Sequence, residues 1–133
     1  MTMPAGTYYI GDLCYFMHDE WNEVCGLFFP PGAKHGVDGE FVLKDGRRFA
    51  SFGTAHGDGE YLSNFRTRHC VDSGSIGCIR LEDIREDAGD AETLGAVVEF
   101  KEPFEVSTTA NGTIKFGYVE IETSYIENEE EYE

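Results

Sequence analysis

Basic residues are scarce in this chain. Ten Lys and Arg stand against twenty-six Asp and Glu, and the net charge is −16. Such a field opposes the phosphates of nucleic acid and the headgroups of anionic membranes, so direct nucleic-acid binding is not expected. Long apolar runs are absent too. No stretch nears the roughly 20 apolar residues of a membrane helix. Met1-Thr2-Met3-Pro4 has neither the basic start nor the apolar run of a secretory signal, so a cytosolic location is expected. Prolines number four, and no Cys-x-x-Cys pair occurs among the four cysteines. In a cytosolic setting these cysteines read as thiols, not as a disulfide framework.

Glycine and aromatics are plentiful. Sixteen Gly, ten Phe and seven Tyr in 133 residues suit a turn-rich β domain with a real core. One globular domain over residues 1–126 is expected, followed by an acidic, disordered tail over 127–133 with five glutamates. Without the tail the charge is still about −11, so acidity is spread over the body. Solubility accounts for such a surface. A DNA-mimicking or basic-partner surface is the sharper alternative, with Asp83, Glu86, Asp87 and Asp90 as contributors.

The chain reads as α+β, mostly antiparallel β, rolled into a partial barrel or sandwich with one short helix near residues 17–28 on one opening. Thr7 to Ile10 is a strand by composition, and Gly11-Asp12 breaks it. Met17, Trp21, Val24 and Phe28 recur at helical spacing with acids between them, and Pro30-Pro31-Gly32 ends the helix. His18 or Asp19 is placed near its N-cap. Asp45-Gly46 signals a two-residue hairpin, and Asn111-Gly112 another within residues 104–122. In "CVDSGSIGC" a three-residue loop at Ser73-Gly74-Ser75 would set Cys70 opposite Cys78.

Three turns carry candidate chemistry. Asp12 and Cys14 form the first: an Asx-turn corner beside a buried thiol, or a nucleophile with a base among His18, His35, His56 and His69. His56-Gly57-Asp58-Gly59 forms the second, a Gly-rich loop able to approach a ligand closely but without the P-loop or EF-hand pattern. Asp72-Ser73-Gly74 forms the third. His69, Cys14, Cys70 and Cys78 are conceivable zinc ligands, but their spacing is not that of a zinc site, and neither metal nor cofactor is expected. Each turn ends a strand, so the three can gather at one rim. The expected ligand site is Tyr9, Asp12, Cys14, Tyr15, His56, Asp58, Tyr61, Asp72 and Ser73, with Tyr9, Tyr15 and Tyr61 as stacking walls. Arg47, Arg48, Arg66 and Arg68 bracket the second turn and would serve an anion if they cluster.

"GTYYIGDLCY", "FGTAHGDGEY" and "VDSGSIGCI" together resemble a set of small bacteriophage and bacterial proteins of uncharacterised activity. The likeness covers residues 5–80, and Leu13 stands where that set has Pro. It implies a phage-type accessory binding protein in the host cytosol, with counter-defence by binding a small nucleotide signal or a host protein as one setting. The alternatives are a small hydrolase pairing Asp or Cys with His, with or without a metal ion, and an acidic DNA mimic.

Overall fold

The computed structural model describes residues 2–33 and 36–124. The expected tail at 127–133, and His35, lie outside them. The elements are β1 Thr2–Met3, β2 Gly6–Gly11, α1 Trp21–Phe28, β3 Gly39–Val42, β4 Arg48–Gly53, β5 Gly59–Leu62, β6 Arg68–Val71, β7 Ser75–Arg80, α2 Ala91–Leu94, β8 Ala96–Phe100, β9 Phe104–Thr108, β10 Thr113–Phe116 and β11 Val119–Glu122. All strand pairs are antiparallel. The α+β, mostly antiparallel expectation therefore holds.

The strands form a five-stranded sheet ordered β3-β4-β7-β2-β8, a four-stranded sheet ordered β1-β9-β10-β11, and a β5-β6 ribbon. The ribbon joins the smaller sheet through a bridge between Ser63 and Ile121. The strand period explains the layering. Tyr8 and Ile10 face the apolar cluster shared with Phe104, Ile114, Phe116 and Ile121, whereas Tyr9 faces a second cluster with Leu13, Val24, Phe28 and Phe49. The five-stranded sheet is thus buried on both faces. Its central strands read as near-continuous apolar runs for that reason.

The helix covers a sheet face, not an opening. Val24 and Phe28 are buried in it, and Trp21 meets Phe28 edge-to-face at 6.1 Å. It starts at Trp21, later than the periodicity suggests, and its N-cap is Glu20, which makes no side-chain capping bond. Met17 packs into the same cluster from the preceding loop, so its apolar spacing reports burial without helix.

The Cys70–Cys78 hairpin is overturned. β6 pairs with β5, placing Cys70 opposite Glu60, and β7 lies between β4 and β2, placing Cys78 opposite Ile10 and Ala50. Gly77 lies opposite Gly11 in that arrangement. A Cβ at Gly77 would collide with the Ala50 carbonyl and the Leu13 side chain, so this position of the strand admits only glycine. Leu13 plugs the space above it and is buried.

The turns also differ from the two-residue reading. Leu43 N–H donates to Arg47 O and Gly46 N–H to Leu43 O, which makes Lys44-Asp45-Gly46 a three-residue loop. Ala110-Asn111-Gly112 repeats it through Thr109 and Thr113. Residues 104–122 hold three strands, because Phe116 pairs with Val119 across a two-residue turn at Gly117-Tyr118.

Candidate functional site

Asp12 closes the first corner. It follows the last residue of β2 and is fully buried. Its Oδ1 accepts the Cys14 N–H at 2.9 Å, capping a short 3-10 turn at Leu13–Tyr15. Its Oδ2 accepts the N–H groups of Asp72 at 2.7 Å and Ser73 at 2.6 Å. The Ser73 hydroxyl donates to Oδ1 at 2.7 Å. One carboxylate thus holds the end of β2 to the turn between β6 and β7.

The other two turns meet it. Tyr15 donates its hydroxyl to Asp72 Oδ2 at 3.0 Å. Gly74, at φ +76°, lies beside Gly57 and Asp58, where a Cβ would make ordinary contact with Asp58 Oδ1 at 3.9 Å. Thr54 N–H donates to Gly74 O at 3.0 Å, and the Thr54 hydroxyl donates to Gly57 O at 2.6 Å. Asp12, Cys14, Tyr15, Asp58, Asp72 and Ser73 therefore share one end of the molecule. His56 departs from it, since its Nε2 is bonded to Ser124 O. Tyr9 and Tyr61 are buried in the core and are not stacking walls; their hydroxyls donate to Asp12 O at 3.1 Å and Gly57 O at 2.8 Å.

The titratable groups here are occupied. Burial pushes the Cys14 thiol well up, and the Asp12 carboxylate beside it, with Asp72 and Asp58, pushes it further. A thiol among carboxylates is a poor nucleophile at neutral pH. Burial also raises the Tyr15 hydroxyl, with Asp72 adding to the effect. His69 is fully buried, donates Nδ1–H to Ile10 O at 3.1 Å, and burial lowers its pKa to about 4. His18 Nδ1 lies 2.6 Å from Glu86 Oε1. The three described histidines thus bond away from the cysteines. Among the described residues the one grouping at metal-ligand spacing is Asp19, Glu20 and Glu86, where Glu20 also lies 3.8 Å from the Arg47 guanidinium.

The open space lies on the far side of the third turn. A cleft of about 240 Å³ is lined by Ser73, Gly74 and Ser75, by Ser51 and Asp38, and by the aromatic pair Phe28 and Phe29. Asp38 Oδ1 accepts the Gly53 N–H at 2.9 Å, and Phe29 is 58% exposed. Sequence reading reached Ser73 but missed Phe29, Asp38 and Ser51. The available signal was two phenylalanines directly before a Pro-Pro-Gly break, where a helix ends and its last apolar residue has no core to enter.

The arginines divide. Arg47 and Arg48 share a cleft of about 370 Å³ with Arg80, away from Arg66 and Arg68. Arg47 pairs with Asp45 at 2.8 Å, Arg48 with Glu40, Arg68 with Glu60 at 2.6 Å and Arg80 with Glu82 at 3.6 Å. A roomier cleft of about 480 Å³ lies elsewhere, between Phe100, Pro103 and Tyr118.

Fold and site define a layered antiparallel β protein with a hydrogen-bonded corner beside an open aromatic–serine cleft. Comparison with known proteins finds no matching family model, curated protein or solved structure. No helix among the described residues is long and apolar enough to cross a membrane.

Proposed function

We propose that this chain is a non-catalytic binding protein whose cleft takes a flat, uncharged or cationic small molecule. The observation that carries this reading is the lining: two phenylalanines, three serines and one carboxylate, with no Lys or Arg among the described lining residues. Aromatic faces bind a planar ring, and the hydroxyls and Asp38 accept its N–H donors. A volume of about 240 Å³ lies below the roughly 300–1,000 Å³ of drug-sized sites, so one ring system fills it. A nucleobase meets this description better than a polyphosphate does. The saturated Asp12 and the raised Cys14 thiol favour binding over turnover. The phage-type accessory role in a host cytosol belongs to the same proposal and rests on the likeness over residues 5–80.

The experiment is amide-resolved NMR titration of the full chain with adenosine, guanosine and ADP-ribose. The expected result is saturable shifts at Ser51, Gly53 and Gly74 with a nucleoside, with no gain from added phosphates. Absence of shifts there at millimolar nucleoside would overturn the reading.

A further inference from the structure

Two exposed aromatic rings mark a different face. Phe65 is 58% and Tyr118 55% exposed, and they meet edge-to-face at 5.7 Å. Tyr118 also rests on Phe100 at 5.3 Å, and Phe100 stacks on Phe104 at 3.8 Å. A row of rings therefore runs from the core to the surface. Each exposed ring sits at the tip of a turn, and one side chain joins the two turns. Asn64 Nδ2 donates to Tyr118 O at 2.9 Å, Asn64 Oδ1 accepts the Glu120 N–H at 2.9 Å, and Asn64 N–H donates to Glu120 O at 2.8 Å. The Ser63 hydroxyl holds the Phe65 turn from inside, accepting from Phe65 N–H at 3.1 Å and Thr67 N–H at 3.2 Å. Rings held this rigidly lose little entropy on contact with a partner.

Beside the rings runs an edge. β8 pairs with β2 along one side, and no described strand pairs with the other. The Glu99 carbonyl turns outward, since the Tyr118 hydroxyl donates to it at 3.4 Å. Strand alternation gives Val97 the same orientation. Ala96, Val97 and Val98 carry no charge to block pairing, as exposed edges ordinarily do. Clefts of about 180 Å³ and 480 Å³ flank Tyr118 along this edge, the first against Phe65, Val97 and Val98 and the second against Phe100 and Pro103.

We propose that the β8 edge with Phe65 and Tyr118 docks one extended, cationic peptide strand of a partner protein. The strand adds to β8 through its backbone, and alternate apolar side chains enter the two clefts beside Tyr118. Charge selects its sign. Glu99, Glu102 and Glu120 stand exposed around the groove against Lys101 and Arg66, and the chain as a whole carries −16. That field repels a second copy of the chain and any acidic strand, and steers a basic one.

The test uses the full chain and fluorescein-labelled decapeptides of alternating Lys and Val. A second peptide has Glu for Lys. A third keeps every Lys but has Pro for Val, which removes every second backbone donor and disfavours strand pairing. Anisotropy reads affinity, and amide shifts read location. The first peptide should bind and shift Val97 and Glu99, with each of the other two weaker by about tenfold or more. Phe65→Ser and, separately, Tyr118→Ser should each weaken the first peptide by about fivefold or more, while amide spectra away from the tip show the fold retained. Equal binding of the proline peptide, or shifts that avoid β8, would overturn the proposal. So would concentration-dependent dimerisation through β8 without peptide, which would make a second copy the occupant.

Discussion

The Asp12 corner and the Phe65–Tyr118 tip are built with the same device and end in opposite states. In each, one short polar side chain reaches across the molecule and fastens a distant turn: Asp12 the turn at Asp72-Ser73, Asn64 the turn at Gly117-Tyr118. At the corner every acceptor is used and the carboxylate is buried. At the tip the same fastening leaves two large rings in water. A buried, saturated polar group explains itself through stability. A rigid turn that exposes apolar surface does not, and it calls for a partner.

The largest break of this comparison is Asp12→Ala. It strands the N–H groups of Cys14, Asp72 and Ser73 at a half-buried corner around a carboxylate that is itself fully buried. Each donor left without its partner at this half-buried corner costs about 1 kcal/mol, so a loss of about 3 kcal/mol is expected from urea denaturation. Asn64→Ala at the exposed tip should cost only about 1–2 kcal/mol, because water reaches the freed groups. Equal losses would erase the distinction between scaffold and display.

The next effect concerns His69, the other buried polar group near the corner. Its Nε2 has no hydrogen-bond partner among the described residues, and its folded pKa of about 4 lies below the ordinary 6.5. The unfolded chain therefore binds the proton first as pH falls. His69 costs no stability above about pH 6.5, and the folded state loses stability from there down to about pH 4, where the loss levels off. The drop is about 3 kcal/mol. It is read as the difference between the parent and His69→Leu in denaturation at pH 7 and pH 4; a constant difference would refute it.

Local chemistry was legible in the sequence, and partner choice was not. The strand at Thr7–Ile10, the apolar period from Met17 to Phe28 and the turn residues at 45–46 and 111–112 follow from residue types, and each has its counterpart in the structure. Which strand lies beside which is a property of the whole sheet. Ser73-Gly74-Ser75 has good hairpin chemistry, yet β7 leaves β6 and enters between β2 and β4, where the glycine at 77 leaves room for the Ala50 carbonyl and Leu13. The meeting of Asp12 with Asp72 spans sixty residues of sequence and has no local signature. Tyr9 and Tyr61 carry the same residue type as Tyr15 and differ from it only by burial, which single residues do not announce.

The finest contrast lies within a single turn type. Loops 44–46 and 110–112 place Gly46 at φ +98° and Gly112 at φ +94°. Residues 64–66 form the same three-residue loop, with Ser63 N–H donating to Thr67 O and Arg66 N–H to Ser63 O. Its left-handed position is Arg66, at φ +63°. A side chain there costs about 1–2 kcal/mol, partly offset by the lower entropy of the unfolded chain. Arg66→Gly should therefore raise stability by about 0.5–1 kcal/mol. Gly46→Ala is its mirror, since a Cβ at Gly46 meets no atom within 4 Å and φ alone is at stake. It should lower stability by about 1 kcal/mol. Paired denaturation curves read both signs. If Arg66→Gly also leaves peptide affinity at β8 unchanged, the strain serves the shape of the turn and not contact by the guanidinium. If affinity rises together with stability, the guanidinium at that position also repels the cationic strand.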